Sequence, residues 1–139
     1  MHVKEIMSSD PACCTTGTKL ADVAKMMVEH NCGAIPVVDS VDHHAPIGVI
    51  TDRDIVCRAL AADKDLAGLT AGHCMSTEPV TVSPETDVEE CERAMREHQI
   101  RRILVTDNNG TLRGIVAQAD IARHCRDGET AQLVQDVST

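Results

Sequence analysis

In the run GVITDRDI, residues 48–55, a threonine and an aspartate stand three positions apart where an apolar stretch meets a helical pattern. A hydroxyl and a carboxylate at that spacing have two uses. Asp54 can cap the helix, accepting hydrogen bonds from backbone N–H groups that lack an intrahelical partner. Alternatively, Thr51 and Asp54 can grip a ligand together. Asp52 suits the capping role equally well, which leaves Asp54 available for the second use. Arg53, between them, is divided between a ligand contact and a surface ion pair. A second run, GIVAQADI (residues 114–121), keeps the glycine and Asp120 but has Ala117 and Ala119 in place of Thr51 and Arg53.

Other chemistry is thin. The seven cysteines are odd in number and contain no CxxC pair, which argues against a disulfide framework. Most occupy positions where an apolar residue belongs, and a free cysteine behaves as a small hydrophobe. Doublets such as His43-His44, His73-Cys74 and His124-Cys125 point to opposite faces of a strand and chelate poorly. A cysteine-based redox or metal sensor is retained as an alternative. No nucleophile elbow, metal-ligand helix or P-loop is present, and Cys13-Cys14 is the one thiol candidate for enzymatic chemistry. The expectation is a protein that is not an enzyme.

Composition narrows the partners. A formal net charge of −9 opposes a nucleic-acid footprint but leaves room for a small anion held by local arginines. There is no Phe, Tyr or Trp, so no aromatic ring can stack on a planar ligand. No apolar run approaches membrane-spanning length, and MHVKEIMSSDP lacks the apolar core and cleavage site of a signal peptide. A cytoplasmic location with no membrane partner is expected.

The elements that must position these groups come in two copies. An offset of 68 carries Met7-Ser8 onto Met75-Ser76, Pro11 onto Pro79, His30 onto His98 and Asp39 onto Asp107. After the next turn the offset becomes 66 and carries Gly48 onto Gly114 and Asp54 onto Asp120. Each copy reads as an extended segment (12–16 or 79–82), a helix, a strand (AIPVVD or RILVTD), a turn, a strand (PIGVI or LRGIVA) and a second helix. In the second copy Ser83 and Pro84 suggest a helix start, and Val88, Cys91, Ala94 and Met95 recur at helical spacing. Leu20, Val23, Ala24, Met27 and Val28 do so in the first, where Asn31 or Gly33 can end the helix. His30 and His98 close these helices. The second helix opens at Asp52 or Asp54, and near Asp120 in its counterpart. One copy is too small to bury both a sheet face and a helix face, so the two must pack together. The division is 1–60 for the first repeat, 61–72 for a linker, 73–127 for the second repeat and 128–139 for a partly ordered tail, in which LVQDV could form one turn.

This ordered set, twice repeated, resembles the CBS (cystathionine β-synthase) domain pair, or Bateman module, of the stand-alone type. The resemblance runs from about Val3 to Arg126. It implies an α/β (α+β) fold of two β-α-β-β-α repeats packed as an intramolecular pseudo-two-fold pair. It further implies a regulatory sensor that binds an adenine nucleotide (AMP, ADP or ATP) in the cleft between repeats and signals to a regulated protein. S-adenosylmethionine and NAD are alternatives for the same cleft. In such proteins G-h-h-T/S-x-x-D/N grips the ribose, here Thr51 and Asp54. Ribose offers two adjacent O–H donors, which one fixed carboxylate can accept.

Asp120 would be a weaker second site without its threonine. Arg101 and Arg102, where the first repeat has Gly33 and Ala34, would reach a phosphate over Thr51 and Asp54 or serve the Asp120 site, and Arg53 would assist. The adenine would rest on Pro79 and Val80 from one side and Ile35 or Pro36 from the other. Family members usually form homodimers through their helices, with contributors to an apolar face among Met26, Met27, Met95 and Ile121, some of which must instead belong to the core.

Overall fold

The computed structural model describes residues 1–62 and 64–125. In chain order its strands are β1 (Ser8–Ser9), β2 (Ala34–Val38), β3 (Pro46–Thr51), β4 (Ser76–Thr77), β5 (Thr81–Val82), β6 (Arg102–Thr106) and β7 (Leu112–Ala117). The helices are α1 (Leu20–Glu29), α2 (Asp52–Asp54), α3 (Ala71–Cys74), α4 (Val88–Glu97) and α5 over 118–125. From Ile55 to Leu60 α2 continues at π-helical spacing. The expected tail, 128–139, lies outside the described residues.

Two sheets form, ordered β2-β3-β4 and β1-β7-β6-β5. The repeats therefore exchange their opening strands. β1 runs antiparallel to β7 of the second lobe, and β4 runs antiparallel to β3 of the first. The helices are tied the same way: Leu20 N–H donates to Leu69 O, and Val88 N–H donates to Met1 O, both at 3.0 Å. Residues 69–77 thus do for the first lobe what 1–9 do for the second. The expected 61–72 linker runs into this exchanged segment.

Burial follows the exchange. Ala71 and Cys74 join Leu20, Val23, Met27, Ile35, Val37 and Ile50 in the first core. Val3 joins Val88, Cys91, Met95, Ile103, Val105, Val116 and Ile121 in the second. Between the lobes, Val38 packs with Leu104 and Leu112.

Several local expectations are corrected. α4 begins at Val88 with Asp87 as N-cap, and Ser83 does not cap it. Ser83 instead opens a turn in which Thr86 N–H donates to Ser83 O, and Ser83 N–H to Thr86 Oγ1, each at 3.1 Å. Proline fits the second position of such a turn, so Pro84 delays the helix by one turn. Thr15 and Thr18 build the same turn in the first repeat. There the extended segment 12–16 reduces to one bridge, Cys14 to Val37.

α1 ends on Asn31, not Gly33: Asn31 is left-handed (φ 49°), and Cys32 N–H reaches Met27 O at 3.0 Å. Gln99 does the same after α4, with Ile100 N–H on Met95 O, so both ends are Schellman caps. Val28, one residue past the buried Met27, is 82% exposed. Met27, Met95 and Ile121 are core residues, and Met26 is half-buried against the first core. The three buried residues therefore belong to the core rather than to an apolar dimer face, and Met26 is the one of the four that remains partly exposed. Among the described residues, Val28 on α1 and Val56 and Leu60 in the continuation of α2 are large apolar side chains left exposed.

Asp39 holds the turn between β2 and β3, and Asp107 holds the turn between β6 and β7. A hydrogen bond from His43 and one from the Ala45 N–H keep the Asp39 carboxyl below its usual range. The Thr111 N–H, with Asn109 and Arg113, does this for Asp107. A depressed carboxylate adds stability that is present above its unfolded pKa of about 3.9 and lost as pH falls through the folded value. The Asp39→Asn/Asp107→Asn double variant is therefore expected to flatten the fall in thermal midpoint below about pH 4 relative to wild type.

Candidate functional site

Thr51 is the last residue of β3 and the N-cap of α2. Its Oγ1 accepts from Asp54 N–H at 3.1 Å, while Asp54 Oδ2 accepts from Thr51 N–H at 2.9 Å. This reciprocal capping box satisfies two donors that the helix start leaves free. The N-cap position is therefore Thr51, with Asp54 its reciprocal partner at the third helical position, and Asp52 takes no part in the box. Asp52 Oδ1 accepts from the neighbouring Arg53 N–H at 2.8 Å. The box uses one oxygen of Asp54 and leaves Oδ1 facing Arg58 Nε at 3.7 Å, longer than a hydrogen bond.

Thr51→Ala is expected to remove the cap at a cost of about 1 kcal/mol, within a range of roughly 0.5–2. Thermal unfolding checks it, with Thr51→Ser expected to stay near wild type.

Asp120 keeps half of this device. Its Oδ2 accepts from Ala117 N–H at 2.8 Å, but Ala117 has no hydroxyl to answer. Its Oδ1 is taken by Arg123.

A cavity of about 540 Å³ lies between the lobes and collects residues from three parts of the chain. Thr51, Arg53 and Asp54 come from the first repeat, Pro79 and Val80 from the segment after β4, and Arg101 and Arg102 from the start of β6. The volume is that of a small-molecule site. Arg102 crosses toward the first lobe, where its Nη2 and Asp52 Oδ2 lie 2.8 and 2.9 Å from the point a Cβ on Gly33 would occupy. A Cβ there would require the Arg102 and Asp52 side chains to shift. Asp52 and Glu78 add negative charge to the wall, so the arginines are opposed by nearby carboxylates.

Three expected residues lie elsewhere. Ile35 is wholly buried in the first core, and Pro36, also buried, is on the opposite face of β2 beside Val38. Neither lines the cavity, because side chains of a strand alternate and both faces of β2 are covered. Asp120 does not line it either. Arg101 also borders a second groove between α4 and α5. Val49, Thr77, Glu78 and Leu104 line the cavity without having been singled out. Pairing of β4 with β3 brings the first three together, and no residue type announces that pairing.

Three of the seven thiols are subdued. Cys13 Sγ lies 3.3 Å from His44 Nε2 and donates to Pro11 O at 3.1 Å. Burial, with Asp10 nearby, pushes the Cys13 thiol up to about 11. Burial likewise raises Cys14 and Cys91 to about 11. Thiolate is the reactive form, so these three should react slowly. Native titration with an aromatic disulfide is expected to label Cys57 and Cys125, the exposed pair, well before the others. Among the described residues no group of three or more His, Cys, Asp or Glu side chains is placed to hold a metal. No helix among them is long and apolar enough to cross a membrane.

The family model for the CBS domain matches residues 3–60 and again 71–127. The chain belongs to the CBS domain family. Hypoxic response protein 1 of Mycobacterium tuberculosis is 35% identical over 134 residues, 96% of this chain and 92% of its own. The crystal structure of Hypoxic Response Protein I with two coordinated zinc ions has a TM-score of 0.78, covering 89% of this chain and 98% of that one. The CBS domain pair of protein MJ0100, in complex with 5′-methylthioadenosine and S-adenosyl-L-methionine, has a TM-score of 0.83 at 28% identity. That match covers 92% of this chain and 98% of that one. CBS domain protein PAE2072 from Pyrobaculum aerophilum, complexed with AMP, has a TM-score of 0.79 at 26% identity, over 86% and 89% of the two chains. The CBS pair architecture expected from the repeats is thus the architecture of the chain.

Proposed function

We propose that this CBS pair is a non-catalytic regulatory module whose inter-lobe cleft binds an adenine nucleotide, AMP, ADP or ATP. One observation carries the reading: the cleft joins the Thr51–Asp54 box, Arg53, Arg101, Arg102 and the aliphatic Pro79–Val80 wall around one cavity. Asp54 Oδ1 accepts the ribose hydroxyls, the arginines take phosphate, and the base lies on Pro79 and Val80. Adenosine ligands in the related pairs of MJ0100 and PAE2072 support this assignment. The three arginines favour a phosphate over S-adenosylmethionine, whose sulfonium is cationic. Occupancy shifts the angle between the lobes, and a partner protein reads that shift. The module acts in the cytoplasm as a homodimer.

Calorimetric titration with AMP, ADP, ATP, NAD and S-adenosylmethionine tests the reading. Saturable binding of at least one of the three adenine nucleotides is expected, tighter than that of S-adenosylmethionine. Absence of binding by all three up to about 1 mM, an affinity weaker than roughly 4 kcal/mol, refutes it.

A further inference from the structure

Arg58 stands outside the cavity lining, yet it contacts Asp54, which lines the cavity, and the backbone that leads into Pro79 and Val80. Its Nε is 3.7 Å from Asp54 Oδ1, and its Nη1 donates to Met75 O at 3.1 Å and approaches Cys74 O at 3.5 Å. Cys74 and Met75 join α3 to β4, the strand lent to the first lobe, and the chain continues directly into Pro79 and Val80 of the cavity wall. One guanidinium therefore spans the carboxylate of the capping box and the backbone that leads to that wall. Its planar fork makes such double contact possible, where a lysine offers a single point of charge.

Among the described residues the other lobe shows no such bridge. Asp120 is paired with Arg123 on its own helix, one turn away. The counterpart of Arg58 at the offset of 66 is His124. The helices differ as well: Arg58 lies in the π-helical segment, whereas 118–125 is α-helical throughout. Single-turn π segments recur at functional sites. An ordinary exposed i,i+4 ion pair contributes little, and the two carbonyl contacts are what set Arg58 apart from Arg123.

We infer that Arg58 is a positioning residue for ligand binding: within the first lobe it holds the Asp54 carboxylate in register with the 74–75 backbone, from which the chain runs on to Pro79 and Val80. The inference rests on the nucleotide reading of that cleft. It predicts an energetic asymmetry between two arginines that both pair with a box aspartate.

The test measures AMP affinity by calorimetry and thermal midpoint for Arg58→Ala, Arg58→Lys and Arg123→Ala. Arg58→Ala is expected to bind AMP roughly three- to tenfold more weakly, the scale of one partly exposed ion pair and one hydrogen bond. Arg58→Lys should fall between Arg58→Ala and wild type, and Arg123→Ala should stay within about twofold of wild type. Because the effect passes through Asp54, Arg58→Ala placed on Asp54→Asn should add less loss than it causes alone. Unchanged affinity in Arg58→Ala, equal loss in Arg123→Ala, or a full additive loss on Asp54→Asn overturns the inference while leaving the nucleotide reading intact. Should Arg58→Ala fail to fold, wild-type affinity in Arg58→Lys overturns it instead. Failure of wild type to bind AMP, ADP or ATP removes the reading and the inference together.

Discussion

Asp54→Ala is expected to weaken AMP binding by about ten- to a hundredfold, the equivalent of roughly 1.5–3 kcal/mol for a lost charge-assisted hydrogen-bond acceptor. The carboxylate is positioned before any ligand arrives. Oδ2 is fixed by Thr51 N–H at 2.9 Å, and the side chain is only 14% exposed. A ribose thus meets an acceptor whose rotamer is already chosen, and binding loses little in ordering it. The alanine variant also breaks the capping box, so a drop in thermal midpoint will accompany the drop in affinity. Asp54→Asn separates the two effects. Its amide oxygen can still accept from Thr51 N–H, which preserves the helix start, but the charge that strengthens the ribose contacts is gone. Calorimetry on both variants, with unfolding curves beside it, should show both losing affinity and only Asp54→Ala losing much stability. An Asp54→Asn protein that binds AMP as tightly as wild type would assign Asp54 to capping alone.

That double duty explains why the sequence left the question open. Capping and ligand grip call for the same residue types at the same spacing, and Thr51 and Asp54 satisfy both. The repeat was legible because its anchors, such as Gly48 and Gly114 or Asp39 and Asp107, recur at constant offsets. Strands β2, β3, β6 and β7 follow from apolar runs bounded by turn residues. The strand exchange was not legible, since β1 and β4 are two residues each and show no alternation. The same gap hid the contact of Arg58 with the backbone of residues 74 and 75, while Ile35 and Pro36 misled because both faces of β2 are covered. Helical spacing marked Met27, Met95 and Ile121 as apolar, but spacing alone does not say whether a face meets its own core or another chain. Ser83 misled because a serine before proline opens a turn as readily as a helix.

Gly48→Ala is expected to cost about 1–3 kcal/mol of stability, as overpacking of a tight contact does, and to weaken AMP binding at the same time. A Cβ on Gly48 would lie 2.7 Å from Met75 Sδ and 2.8 Å from Ser76 O. The methionine can swing away, but the carbonyl belongs to β4, whose pairing with β3 sets Gly48 against Thr77 and Val49 against Ser76. Relief therefore requires β4 to withdraw, and β4 leads straight into Pro79 and Val80. The glycine of the G-h-h-T-x-x-D pattern accordingly serves strand approach, one layer away from the ligand. Gly114 gives the internal comparison. Its Cβ would meet Met7 Sδ at 2.5 Å and Ser8 O at 2.9 Å, so Gly114→Ala should destabilise to a similar degree. Because β1 carries no part of the Thr51–Asp54 cavity, Gly114→Ala should retain AMP affinity within about threefold at a temperature where it is folded. Gly17→Ala, with nothing within 4 Å of its new methyl, should change neither property. Unfolding midpoints and AMP titrations on the three variants check the pattern. Equal loss of affinity in Gly48→Ala and Gly114→Ala would mean that the two exchanged strands act on the cleft alike, and the wall of the site would then have to be drawn from both.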